Sequence, residues 1–276
     1  MSLKIGFMQG RLSPIVDGKI QSFPWNTWEQ EIGQAKSIGL NIMEWTLDQQ
    51  RLYENPLMTA NGQKKIKKLC TDHGFSIPSL TGDCFMQAPF WKAINKDETN
   101  KLKIDFNAIL EACSKVGIKF VVVPLVDAGR LENLQQENIV VEFLLEQKYK
   151  LIELDVKIIF ESDFQPAELK RFISRLDHRS FGINYDTGNS ASLGLNQFEE
   201  FEAIGNRILN VHIKDRSLGG TTVPLGEGDV DFTGVLSLLK ARGYESNYIL
   251  QTARATDGNH LNLLKNYKNY IKDRNS

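Results

Sequence analysis

Short apolar runs and longer amphipathic stretches alternate along the whole chain. Runs rich in β-branched and aromatic residues, bounded by turn signals, predict strands at 3–8 (LKIGFM), 40–44, 75–80, 119–126 (KFVVVPLV), 156–161, 181–186, 208–213 and 247–251. Apolar positions at three- and four-residue spacing predict helices between them, over 27–38, 61–72, 98–116, 134–151, 166–177, 197–204, 233–242 and 259–272. Several of these helices run into the next strand through a glycine (Gly39, Gly74, Gly117 and Gly243), the residue that most readily takes the left-handed cap ending a helix.

Strand and helix in strict alternation predict a parallel sheet, and eight such units predict a closed barrel. The length of 276 residues suits this α/β fold, a single (β/α)8 TIM barrel domain over 1–276, which needs about 250 residues. No Pro/Ser-rich linker divides the chain. An open doubly wound sheet would carry a Gly-rich phosphate turn after its first strand, and MQGRLSP has no such spacing.

In a barrel, chemistry belongs at the C-terminal ends of the strands. That rule selects Gln9, Arg11, Glu44, Asp83, Asp127, Glu161, Asp186, Asn189, His212, Lys214 and Gln251. It sets aside His73 and His178, which precede strands, and His260, which begins the last helix. Four of the selected residues form a row: Glu161 after VKIIF, Asp186 after FGINY, His212 inside ILNVHIK and Gln251 after NYIL. A carboxylate or imidazole at the end of a buried strand needs a partner, because burying it unpaired is costly. Two carboxylates, an imidazole and an amide oxygen at one mouth suit one divalent cation, of Mn, Zn, Co, Mg or Fe. Simpler roles are open as well: Asp186 as the cap of the TGN turn, and Asp215 as a partner of Lys214 or Arg216.

Charge and composition narrow the partners. A formal net charge of −1 argues against a nucleic-acid binder. The lysines of QKKIKKLC surround Ile66 and Leu69, the pattern of a solvated helix face. No apolar run approaches the roughly 20 residues that span a bilayer, and MSLKIGFMQG is unlike a signal peptide, so a cytoplasmic protein without a membrane partner is expected. Cys70, Cys84 and Cys113 are scattered without C-x-x-C spacing, which fits reduced thiols.

The segments IIFES, YDTGN, VHIKD and PLGEGDVDF, in that order on strands 5 to 8, with GLNIMEW on strand 2, resemble the xylose isomerase-like barrel superfamily. Its members include sugar phosphate isomerases, ketose 3-epimerases, hydroxypyruvate isomerases, inosose dehydratases and the endonuclease IV class. The resemblance implies one divalent metal held by Glu161, Asp186 and His212, with Gln251 where relatives carry a fourth, glutamate ligand. Asn189 stands where many relatives have a second histidine. Epimerising relatives use the glutamates of strands 5 and 8 as paired acid and base, and an amide cannot exchange a proton that way. The resemblance thus implies a metal-dependent isomerase or epimerase acting through an enediolate, with 1,2-isomerisation by Glu161 as a single base favoured over two-base 3-epimerisation with residue 251. A dehydratase of a cyclic polyol or keto-sugar, and a ligand-binding barrel without turnover, are the alternatives.

The substrate is then a small sugar, sugar phosphate or sugar acid, with Glu44, Asn189, Lys214, Arg216, Arg254 and Trp25 as expected contacts. Phe23 and Trp25 in the long loop after strand 1, and Phe85, Phe90 and Trp91 in the loop after strand 3, are candidates for aromatic walls, whereas Trp28 is read first as the start of the next helix, packed in the core. The glycine-rich segment 215–229 is a candidate phosphate cradle. Endonuclease IV chemistry needs three zinc ions and more histidines than the four present here. Related barrels often form dimers or tetramers, so a homo-oligomer is an open expectation.

Overall fold

The structure, a computed structural model, describes residues 3–275. Eight parallel strands close into a barrel: Lys4–Met8, Ile42–Thr46, Ser76–Thr81, Phe120–Leu125, Lys157–Ser162, Phe181–Asp186, Ile208–Ile213 and Asn247–Leu250, numbered 1 to 8 below. Strand 1 pairs in parallel with both strand 2 and strand 8, so no edge is left open. The outer layer is formed by helices Trp28–Ser37, Ala60–His73, Lys96–Val116, Leu134–Leu154, Pro166–Ser174, Gln197–Ile204, Phe232–Ala241 and His260–Arg274. This is the single (β/α)8 barrel expected from the sequence. No helix among the described residues is long and apolar enough to cross a membrane.

Local chemistry fixes the helix ends. The Thr59, Asn95 and Asn133 side chains accept from the backbone N–H groups of Gly62, Glu98 and Gln136, satisfying donors that a helix start leaves free. Gly74 and Gly117 take left-handed φ values of 55° and 88° at the C-caps.

The loops depart from expectation where aromatic residues are concerned. Phe85, Phe90 and Trp91 do not rim the barrel mouth. A short helix, Asp83–Gln87, and a turn at Phe90–Lys92 fold them back under the surface, each at most 6% exposed. There Phe85 and Phe90 pack on Phe106 and Phe143, with centroids 4.6 Å apart for Phe85–Phe106 and 4.8 Å for Phe90–Phe143, and Trp91 packs edge-on to Phe90 at 5.0 Å. Burying two or three rings at once outweighs leaving them as a wall in water. Phe23 likewise packs on Trp45, at 5.4 Å, while Trp28 opens its helix and packs on Trp45 at 5.6 Å, as expected of it. Phe106→Ala is expected to lower stability by about 3–5 kcal/mol, since it empties the centre of the first cluster. Urea unfolding measures this, and a loss below about 1 kcal/mol would mean that the neighbouring rings close the gap.

Candidate active site

Strand alternation sends every second side chain into the barrel. On strand 7 this places both Asn210 and His212 inside, and on strand 6 both Asn184 and Asp186, with Asp186 in register with His212. A polar column results. Asn210 Nδ2 donates to Asn184 Oδ1 and to Glu44 Oε2, each at 2.8 Å, and Asn184 Nδ2 donates to Glu161 Oε2 at 3.2 Å. The Asn184 and Asn210 amide nitrogens thus meet acceptors in the core, as burial requires.

Glu44 lies beneath His212 rather than facing the mouth. Its Oε1 is 2.7 Å from His212 Nε2, and it also accepts from the Thr81 hydroxyl. Glu44 is fully buried and committed to the ring, to Asn210 and to Thr81, so as placed it orients a site residue instead of contacting substrate. A carboxylate on one ring nitrogen fixes the imidazole and leaves the other nitrogen to face a metal. That other nitrogen, Nδ1, is 3.0 Å from Glu161 Oε2 and 3.8 Å from Asp186 Oδ2.

One ligand atom from each of Glu161, Asp186 and His212 lies within 4.8 Å of the others, and all three residues are buried. Donors bound at about 2.1 Å to one ion lie about 3–4 Å apart, the spacing found here. His212 Nδ1 faces the Glu161 and Asp186 oxygens, and the buried Gln251 Oε1 beside them has no hydrogen-bond partner. The mixed oxygen and nitrogen donors, with that orphaned oxygen among them, fit a divalent cation. Glu161, Asp186 and His212 would hold it, and Gln251 Oε1 is the remaining donor. Lys214 Nζ also reaches Asp186 Oδ2, at 2.7 Å.

Electrostatics binds the cluster together. Burial opposes a charged His212 ring, but the Glu44, Asp186 and Glu161 carboxylates outweigh it and hold its pKa well above the usual value. Burial also opposes the charged forms of Asp186 and Glu44. Lys214 and His212 hold Asp186 well below the usual carboxylate range, and His212 keeps Glu44 low.

The Asp186 carboxylate serves in two ways at once. Oδ1 caps the short helix Thr187–Ser192 by accepting from the Asn189 N–H at 2.9 Å, while Oδ2 faces His212. Asn189 Nδ2 donates to Glu161 Oε1 at 2.7 Å, and Asn189 Oδ1 accepts from Arg216 Nη1 at 3.0 Å, so Asn189 orients the glutamate. Lys214 reaches Asp186 by crossing Gly188, where any Cβ would lie 2.7 Å from its Cγ.

The cations of the mouth are committed to protein groups. Arg216 donates to Gly220 O at 2.7 Å, and Arg254 to the carbonyls of Gly10 and Ser13. Arg11 is buried and donates to Thr252 O at 2.9 Å and Ile20 O at 2.8 Å. The glycine-rich segment is not an open cradle: Asp215 pairs with neither Lys214 nor Arg216, and its carboxylate accepts from the amides of Gly226, Gly228 and Val230. Trp25 is partly buried, edge-on to Phe23 at 4.9 Å, with the Arg51 guanidinium 3.9 Å over its ring. His73, His178 and Asp127 are exposed, and His260 opens the last helix away from the cluster.

Asn184, Asn210, Thr81 and Gln21 join the site although only their neighbours stand out in the sequence. Asn184 and Asn210 carry a readable signal, because they lie two residues before the candidate ligands Asp186 and His212, whereas Thr81 joins through Glu44 on the neighbouring strand. Gln21 has no local signal; it arrives by the return of a long loop.

Known proteins share this arrangement of elements. The family described as xylose isomerase-like TIM barrel matches residues 32–271. The chain belongs to that family. Among curated relatives of this xylose isomerase-like barrel, a putative L-ribulose-5-phosphate 3-epimerase, SgbU of Haemophilus influenzae, is 23% identical over 241 residues, covering 82% of this chain and 83% of its own. Among solved structures, the IOLI protein with a bound zinc atom superposes with a TM-score of 0.78 at 17% identity, covering 99% of each chain. An L-ribulose 3-epimerase superposes with a TM-score of 0.74 at 15% identity, covering 98% of this chain and 94% of its own. At such identities the structural likeness speaks to the fold.

Proposed function

We propose that this barrel is a metal-dependent sugar isomerase or epimerase, and within that class a 1,2-isomerase acting through an enediolate with Glu161 as the base. The observation that carries the reading is the convergence of Glu161, Asp186 and His212 on one buried point, with Gln251 Oε1 unpartnered beside it. The 3-epimerase activities named for SgbU and for the L-ribulose 3-epimerase support the isomerase or epimerase class, and the zinc in IOLI supports a metal at the site. A bound divalent cation supplies Lewis-acid stabilisation for negative charge developing beside a carbonyl.

The protein's own groups do the rest. Glu161, oriented by the Asn189 and Asn184 amides, takes the proton next to the carbonyl and returns it to the neighbouring carbon on the same face. Gln251 cannot deliver a proton to the other face, which sets this reading against a two-base epimerase that relies on residue 251. Because Lys214, Arg216, Arg254 and Arg11 already have protein partners, an unphosphorylated sugar is favoured over a sugar phosphate. Incubating the Mn²⁺-loaded protein with L-ribulose and with L-ribulose 5-phosphate tests this. Aldose formed faster from the free sugar is the expected result, and faster turnover of the phosphate would reverse the substrate assignment.

Gln251→Glu is a second probe. A charged oxygen in place of a neutral one is expected to raise Mn²⁺ affinity by about tenfold or more and to add 3-epimerase activity. Titration calorimetry reads the affinity. An unchanged value would place residue 251 outside the coordination sphere.

A further inference from the structure

Three side chains converge on the amide of Gln21, which the loop after strand 1 carries into the barrel mouth. Gln21 Nε2 donates to Asp83 Oδ2 at 2.8 Å. Gln21 Oε1 accepts from Gln251 Nε2 at 3.0 Å and from Arg11 Nη2 at 3.4 Å. An amide presents an acceptor and a donor side by side, and so does a sugar carbonyl next to a hydroxyl-bearing carbon. The surroundings of Gln21 therefore already hold what such a pair needs: donors from Gln251 and Arg11 for the carbonyl oxygen, and a carboxyl from Asp83 for the hydroxyl. Asp83 is 7% exposed and follows strand 3, which stands across the closed barrel from strand 7 and His212.

A 1,2-isomerisation moves two protons, one between neighbouring carbons and one between neighbouring oxygens. Glu161 serves the carbons. Neither an amide nor a guanidinium titrates, so Gln251 and Arg11 cannot serve the oxygens. We propose that Asp83 is the acid–base residue that carries the proton between the two substrate oxygens, with the hydroxy-carbonyl unit taking the place of the Gln21 amide. This rests on the isomerase reading above.

The electrons balance around both groups. Glu161 takes a proton from C1 of a ketose, the C–H pair becomes the C1=C2 bond, and the carbonyl π pair moves onto O2, which takes the Asp83 proton. The Asp83 carboxylate then removes the proton from O1. That O–H pair forms the new C1=O bond, and the C1=C2 pair takes the proton back from Glu161 at C2. Both carboxyl groups end as they began, and no oxidant or reductant is needed.

Asp83 is suited to hold the proton it lends. Burial pushes its pKa up to about 7, against the Gln21 hydrogen bond and the Arg11 charge, while the carboxylates of Asp48 and Glu161 push the same way as burial. Those three charged groups face it from the loop after strand 2, from strand 5 and from the loop after strand 1. A general acid works best with a pKa near the ambient pH.

Asp83→Asn, in the full Mn²⁺-loaded chain with L-ribulose as the probe, tests the assignment. The kcat is expected to fall about 10²–10³-fold with KM within about threefold, and the limb of the kcat–pH profile near pH 7 should vanish. A second readout needs no turnover. Folded Asp83 holds a proton that the unfolded chain releases, so wild-type stability should fall as pH rises from 3.8 to about 7, and Asp83→Asn should flatten that slope. A kcat within about threefold of wild type, or a lower kcat with the pH limb intact, would overturn the proposal. Undiminished turnover by Glu161→Gln would instead overturn the isomerase reading, and this proposal with it.

Discussion

Glu161→Gln is expected to lower turnover by about 10³-fold while leaving the barrel folded. The two side chains have the same shape, and an amide oxygen can still accept the 2.7 Å hydrogen bond from Asn189 Nδ2. What is lost is the capacity to take a proton, together with one unit of negative charge beside His212 Nδ1. Both losses act on the reacting carbon and hardly at all on the core. Steady-state turnover of L-ribulose, set beside the thermal unfolding midpoint, separates the effects. Turnover within about threefold of wild type would remove Glu161 as the base.

His212→Ala should do more damage to the protein itself. The ring is fully buried and stands between Glu44 at 2.7 Å and Glu161 at 3.0 Å. Removing it leaves buried carboxylates facing one another without the cation that offsets them, a loss of about 3–5 kcal/mol by analogy with broken buried ion pairs. Metal affinity should fall with it, because the nitrogen donor is gone. The pH window follows from the two shifts, measured with chelator present. The pKa of His212 is raised, so its contribution is complete below its ordinary value of 6.5 and fades as pH climbs through the higher folded value. The pKa of Glu44 is lowered, so its contribution is complete above its ordinary value of 4.5 and fades as acid protonates it. The stability gap between wild type and variant should therefore be widest between 4.5 and 6.5, and should narrow in stronger acid. A gap that does not change with pH would contradict the ion-pair account and leave only the cavity.

The barrel was legible in the sequence because its two periods are carried by many residues at once. Each strand run and helix stripe repeats the signal over five or more positions, and the glycines at 39, 74, 117 and 243 punctuate it. All four do take positive φ. The row of candidate ligands stood out for a related reason: Glu161, Asp186, His212 and Gln251 are polar residues at strand ends, where the barrel rule assigns them one mouth, and the first three do converge there. What lay below the mouth was harder to see. Glu44 obeys the same rule, but its side chain crosses the barrel interior to His212 Nε2 and Asn210 on strand 7, and only the three-dimensional structure reveals that. Asn184 and Asn210 could have been found by extending the two-residue alternation back from Asp186 and His212.

Loops gave up least. Nothing local says that Phe85, Phe90 and Trp91 turn inward to Phe106 and Phe143, because the decision is made by packing between segments distant in sequence. The same holds for the amides of Gly226 and Gly228, which close on Asp215 instead of standing open to an anion. The arrival of Gln21 between Asp83 and Gln251 depends on the path of a loop whose length alone marked it as functional.

On the proposed function, the cluster of Glu161, Asp186, His212 and Gln251 is a metal centre for proton abstraction beside a sugar carbonyl. Deuterium uptake from D₂O at the carbon next to the L-ribulose carbonyl, followed by NMR, tests it most directly when the protein is compared as purified with Mn²⁺, after chelation, and after Mn²⁺ is restored. Uptake that disappears on chelation and returns with the metal is the expected result; uptake indifferent to chelation, or absent throughout, would contradict it.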